Sequence, residues 1–353
     1  MFLHRRNCSW QAQKFLLRMC FLGLCLCQTP GLAADNSTEL SGQLRQQAVA
    51  VFGTLAPVSE DELSDPKVKL GQSLFWDTRL SANGQTACAS CHAADDWGSD
   101  RRQRSVDARG KPTSRHSQSV LNSMQASVGL RWLADRDSGA AQALGSITGS
   151  MGFESRDELV ALLKQFEYER AFADAFPGAA GNNSALSAEN YATALQSYQH
   201  TLRTPAPFDS WLNGDDGALD SRQLSGLEQF MSLGCAACHS GALLGGTSMQ
   251  RFGIHADYRQ LTGSGSEDQG LMDKTGKPVD RDVFRVQPLR NVAKTAPYFH
   301  DASVDTLEQA IQVMAEAQLG RSLQEADIEE MVLFLGALSG PVPGNYSAPS
   351  MSN

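Results

Sequence analysis

The chain has 353 residues, enough for one large domain or two of ordinary size with buried cores. Hydrophobic residues at 41% and charged residues at 20% describe a globular protein and exclude a disordered one. A formal charge of −9 excludes a nucleic-acid partner, whose phosphates need a basic face.

The N-terminal segment comes first in chain order. Arg5, Arg6, Lys14 and Arg18 precede or flank an apolar stretch from Met19 to Cys27, and Gly31-Leu32-Ala33-Ala34 comes next. That layout predicts a secretory signal peptide over residues 1–34, with a retained anchor as the alternative. The apolar stretch, at about nine residues, is short of the roughly 20 that a spanning helix needs. Cleavage removes four positive charges, taking the formal charge from −9 to −13, and removes Cys8, Cys20, Cys25 and Cys27. The expectation is a soluble periplasmic protein in an oxidising compartment, where free thiols rarely persist.

Helical patterns dominate the rest of the chain. Ser155-Arg-Asp-Glu158 reads as a capping box before Leu159, Leu162, Leu163 and Phe166. Ser187 opens a helix through Tyr191, Leu195, Tyr198 and Leu202, and Ser322-Leu-Gln-Glu325 reads as a cap before Ile328, Met331, Leu335 and Leu338. Between Thr204 and Asp220 the composition turns to Pro, Gly and Asp, predicting a domain boundary. Gly263 to Asp282 is polar and Gly-rich, predicting a surface loop. A weak repeat crosses the boundary: Leu70-Gly71…Phe75…Cys88-x-x-Cys91-His92 is echoed by Leu224…Phe230…Leu233-Gly234-Cys235-x-x-Cys238-His239.

Cys88-Ala-Ser-Cys91-His92 and Cys235-Ala-Ala-Cys238-His239 are c-type haem attachment signatures. Two cysteines one turn apart can each form a thioether with a haem vinyl group, and the adjacent imidazole then comes under the iron. A four-cysteine zinc site would need two distant pairs to converge, and would not need a histidine after each. A disulfide within each pair would suit a thioredoxin-like enzyme, but no βαβ pattern surrounds either. The motifs therefore predict two covalently bound haem c groups.

At these motifs the chain resembles the bacterial di-haem cytochrome c peroxidases and their MauG-type relatives. The resemblance runs from about Leu70 to Pro341. It rests on Leu70-Gly-Gln-Ser-Leu-Phe-Trp-Asp-Thr-Arg-Leu-Ser81, Arg251-Phe-Gly253, Phe284-Arg-Val-Gln-Pro-Leu-Arg-Asn-Val-Ala-Lys-Thr-Ala-Pro-Tyr-Phe-His-Asp301 and Met314-x-x-x-Gln318-Leu-Gly320. It implies a mainly α fold of two cytochrome c-like haem domains packed against each other, over residues 35–204 (peroxidatic haem) and 205–345 (electron-transfer haem). His92 and His239 would be proximal ligands, and Met314 the distal ligand of the second iron; core packing is the plainer account of a helical methionine. Trp132 falls where the family places a tryptophan between the haems, the alternative being an ordinary buried aromatic. Thr295 and Pro297 match positions whose carbonyls hold calcium. The implied activity is reduction of hydrogen peroxide to water, with electrons from a small cytochrome c or cupredoxin. A homodimer is a further expectation.

The pattern departs from the family around the first haem. The only histidine between His92 and Asn122 is His116, at the family's calcium-binding asparagine, so the switching distal histidine is missing. A soft imidazole in place of a hard oxygen donor also puts calcium in question. Gln142 matches a distal-pocket glutamine, but the family's proton-moving glutamate falls at Ser150, Met151 or Gly152. Glu154 is the candidate substitute, or else a charge beside the helix start at Ser155. These departures leave two other functions open: a MauG-like enzyme oxidising Trp or Tyr of a partner protein, and a non-enzymatic di-haem electron carrier. His200, His255 and His300 read as structural.

Overall fold

The computed structural model describes residues 31–178 and 185–349, with side chains from residue 41 onward. The expected signal peptide lies outside the described residues except for its last four, which form the first turn of a helix. Among the described residues the chain is mainly helical. The first seven helices are α1 (Gly31–Val51), α2 (Glu60–Ser64), α3 (Pro66–Trp76), α4 (Gly139–Thr148), α5 (Arg156–Gln165), α6 (Glu169–Ala175) and α7 (Ala188–His200). They are followed by α8 (Pro207–Leu212), α9 (Ser221–Ser232), α10 (Tyr258–Thr262), α11 (Met272–Thr275), α12 (Leu307–Leu319) and α13 (Glu325–Gly336). Two short antiparallel strands, β1 (Met249–Arg251) and β2 (Val283–Arg285), pair Gln250 with Phe284. No described helix is long and apolar enough to cross a membrane.

Two helix pairs organise the molecule, and each closes on a glycine. A Cβ at Gly71 of α3 would lie 2.0 Å from the Ala194 carbonyl oxygen of α7 and 2.7 Å from the Tyr198 Cβ. A Cβ at Gly226 of α9 would lie 2.1 Å from the Glu330 carbonyl oxygen of α13 and 2.9 Å from the Phe334 Cβ. One turn on, Phe75 meets Tyr198 at 5.5 Å between ring centroids, and Phe230 meets Phe334 at 5.4 Å. The repeat is therefore real but differently registered from the expectation. Gly71 pairs with Gly226, whereas Gly234 serves as the left-handed residue before the second motif.

A separate apolar core forms around each pair. The chain ends cross between them: Ala48 and Phe52 pack in the second core, and Tyr346 packs in the first. A linear division at Thr204 thus misplaces both ends. The stretch expected to hold the boundary is itself packed. Pro207 starts α8, whose Phe208 and Trp211 are fully buried. The buried Asp209 of α8 accepts from the Leu55 and Ala206 N–H groups (both 2.7 Å) and pairs with Arg290 at 2.5 and 2.8 Å.

Three local expectations change in detail. Ser155 caps α5, but the Glu158 carboxylate takes the N–H of Glu154 instead of closing the box on Ser155. Ser322 caps nothing: α13 starts at Glu325, and the Ser322 hydroxyl accepts from Gln312 of α12 at 3.0 Å. The Gly263–Asp282 segment is not wholly surface. Gly270 bridges to Val283, and the Asp268 carboxylate takes two 2.6 Å hydrogen bonds from Arg115 across the molecule.

Candidate functional site

Both C-x-x-C-H motifs begin as a tight helical turn leading out of their glycine-closed helix pairs. The His92 N–H reaches the Cys88 carbonyl at 3.1 Å, and the His239 N–H reaches the Cys235 carbonyl at 3.0 Å. Each imidazole is then held by a carbonyl a few residues on: His92 Nδ1 to Gly98 at 2.9 Å, and His239 Nδ1 to Leu244 at 3.1 Å. A carbonyl only accepts, so in the neutral ring Nδ1 carries the proton and Nε2 keeps its lone pair. Burial lowers both histidine pKa values and so favours that neutral form. Each motif thus presents one oriented imidazole, free to ligate through Nε2.

The four cysteines of the motifs are free thiols. Burial pushes Cys88 up to about 12 and Cys235 up to about 11, which disfavours the thiolate of each. Among the described residues no three His, Cys, Asp or Glu side chains gather as a metal site.

Around the second motif lies a cavity of about 290 Å³ with mostly apolar walls. Cys235, Cys238, His239 and Met314 of α12 all line it. Free Nε2, paired thiols, a thioether sulfur and apolar walls are the donor set and lining that a haem requires. At the edge of this cavity stands Trp132, fixed from both sides. Its Nε1 donates to the His116 carbonyl at 2.8 Å, and its carbonyl accepts from the Arg285 N–H at 2.8 Å. Its ring meets His300 edge-on at 6.1 Å, and His300 in turn stacks on Phe284 at 4.3 Å. The sequence reads His300 only as structural; its place beside Trp132 has no local signal.

Gln142 lies on α4, with its Nε2 donating to Ser146 at 3.3 Å and its Oε1 buried without a partner. Glu154 does not line the cavity around the second motif. Its carboxylate is 82% exposed and pairs with Arg109 at 3.2 Å, so it is a surface charge. At Gly152 the backbone is left-handed (φ +81°), and a Cβ would lie 3.1 Å from Ala108 and 3.2 Å from Ala82.

Thr295 and Pro297 line the same cavity as His116. The His116 carbonyl is already taken by Trp132, its Nδ1 bonds the Arg102 carbonyl at 3.1 Å, and its Nε2 is buried without a partner. Calcium takes six to eight oxygen ligands. An imidazole whose own carbonyl is occupied by Trp132 does not suit it.

Residues 65–217 match the family described as di-haem cytochrome c peroxidase. The chain is 39% identical over 314 residues to the cytochrome c551 peroxidase of Pseudomonas aeruginosa, covering 88% of this chain and 87% of that protein. It is 29% identical over 301 residues to the methylamine utilization protein MauG of Methylophilus methylotrophus, covering 81% and 85%. A crystal structure of a MauG-like protein associated with microbial copper homeostasis superposes with a TM-score of 0.72 at 26% identity, over 84% of this chain and 97% of that one. Motifs, fold and relatives agree: the chain belongs to the di-haem cytochrome c peroxidase family, a family of oxidoreductases with two haem cofactors.

Proposed function

We propose that this protein is a periplasmic cytochrome c peroxidase that reduces hydrogen peroxide to water with electrons from a small cytochrome c or cupredoxin. The observation that carries the reading is the unlikeness of the two motifs' surroundings. His239 shares its cavity with Met314, while the one histidine that could have switched at the first motif, His116, faces that same second cavity. Cys88 and Cys91, and Cys235 and Cys238, would hold the two haems by thioethers. When bound, the haems supply the one-electron chemistry. His92 Nε2 would be the one protein ligand to the first haem, and His239 with Met314 would hold the second. Trp132, tied to the His116 and Arg285 main chain, is the aromatic bridge between the two sites. The Gln142 Oε1 can accept a hydrogen bond from peroxide but cannot move a proton as a carboxylic acid does.

The test is the fully haem-loaded protein with a pre-reduced small cytochrome c or cupredoxin and peroxide. Two donor electrons consumed per peroxide support the reading, and turnover equal to the enzyme-free blank defeats it. Converting the Cys88/Cys91 pair to alanine should halve the covalent haem count. N-terminal sequencing of the exported protein should begin near Asp35, and gel filtration with light scattering checks the expected homodimer.

A MauG-like oxidation of Trp or Tyr on a partner protein is the second reading. It is favoured by the position of His116 and by the MauG relatives. A mass change on a candidate partner after peroxide treatment would support it; no mass change and no electron uptake would dismiss it. The third expectation, a non-enzymatic carrier, falls with membership of an enzyme family.

A further inference from the structure

We infer that the C-terminal tail positions the proximal ligand of the first haem through Tyr346. The inference rests on the proposed ligand role of His92.

The tail leaves the second unit at the end of α13 and crosses to the first. At its base the Gly340 N–H donates to the Asn291 side chain at 3.2 Å. The same glycine passes so close to residues 204 and 205 that a Cβ would lie 2.5 Å from the Thr204 carbonyl and 2.4 Å from that of Pro205. Beyond it the tail is held by the first unit's own helix pair. Gln72 of α3 donates to the Asn345 and Ser347 carbonyls at 2.9 and 3.0 Å. Tyr198 of α7 donates to the Asn345 carbonyl at 2.9 Å, and the Asn345 amide donates to Thr201 at 2.7 Å.

These bonds deliver one side chain to one place. The Tyr346 ring, 2% exposed, sits 5.9 Å from Phe75 and 5.8 Å from Trp76, and its hydroxyl donates to the His92 carbonyl. His92 is thereby held at two points: its peptide by Tyr346 and its ring by Gly98. With both held, the imidazole has one orientation to offer an iron, the role that outer partners play for metal ligands. The equivalent carbonyl of His239 receives no side-chain donor among the described residues, so only the ring is held there. The restraint is specific to the site proposed to meet peroxide, and the second unit's chain end supplies it.

The test uses full-length holoprotein carrying Tyr346→Phe, which keeps the ring and removes only the hydroxyl. The haem count stays at two and the second haem's spectrum and midpoint potential stay put. The first haem's electron paramagnetic resonance signal and potential shift, and its reaction with peroxide slows about tenfold. Asn345→Ala, which loosens the tail without touching Tyr346, moves the same readouts less far. If both variants superimpose on wild type at the first haem, the inference is wrong. A distinct failure is an unchanged first-haem signal in His92→Ala, which removes the ligand assignment itself.

Discussion

In the first unit Gly71 and Phe75 of α3 pack on Ala194 and Tyr198 of α7. In the second, Gly226 and Phe230 of α9 pack on Glu330 and Phe334 of α13 at nearly the same separations. Both pairs lead into a C-x-x-C-H turn whose histidine gives its Nδ1 proton to a nearby carbonyl. The likeness ends at the imidazole. The second site has Met314 in its cavity and the buried Asp209–Arg290 pair behind its core. The first has Tyr346 on the carbonyl of His92. The lesson is that the same glycine-closed helix pair can precede each motif while the restraints on its histidine differ. What the ligated iron then does is decided by side chains outside that frame.

The largest expected effect separates the units. Asp209→Ala leaves Arg290 buried without its counter-charge, together with two N–H groups without acceptors, and should cost about 3–5 kcal/mol. Denaturant unfolding followed at the second haem checks it; a loss under about 1 kcal/mol would deny that this pair anchors the second core. The glycines test the likeness itself. Gly71→Ala and Gly226→Ala each force a Cβ against a carbonyl, and should cost a similar amount, about 3 kcal/mol. If one is tolerated and the other is not, the two helix pairs are not equivalent.

Acid should act on the first unit. At Asp100 burial raises the pKa, but the hydrogen bonds from Arg102 and Ser105 outweigh it and hold the carboxyl below its ordinary value. A carboxyl depressed in the folded state contributes its stability above the unfolded value, and that contribution is lost as pH falls through the folded one. Stability should therefore drop below about pH 4, and Asp100→Asn should flatten that part of the curve. An unchanged pH profile in the variant would contradict this. The smallest effect on stability belongs to Trp132→Phe, about 1 kcal/mol for one lost hydrogen bond. Stopped-flow spectroscopy should nonetheless show slower electron transfer between the haems, and an unaltered rate would remove Trp132 from the path.

Much of the site is legible where chemistry is written in adjacent residues. The two motifs announce themselves, and Met314 is singled out by the family block around it. The repeat is misregistered in the sequence because the connection from α3 to Cys88 is much longer than that from α9 to Cys235, so matching residues lie at different distances from the motifs. Glu154 is ambiguous there because its loop direction decides everything, and that loop turns it to solvent beside Arg109. Gly263–Asp282 looks like surface by composition, since the arginine that buries Asp268 lies far away in the chain. Tyr346 has no signal in a Pro-, Gly- and Ser-rich tail. Its meaning comes from contacts with α3 and α7 that no local pattern encodes.

We propose that two alike motifs carry haems in unlike surroundings: His239 shared with Met314, and His92 without a second protein ligand. Electron paramagnetic resonance of the resting ferric protein, loaded with two haems, tests it most directly. One low-spin signal and one high-spin signal of equal weight are expected. Two low-spin signals would contradict it.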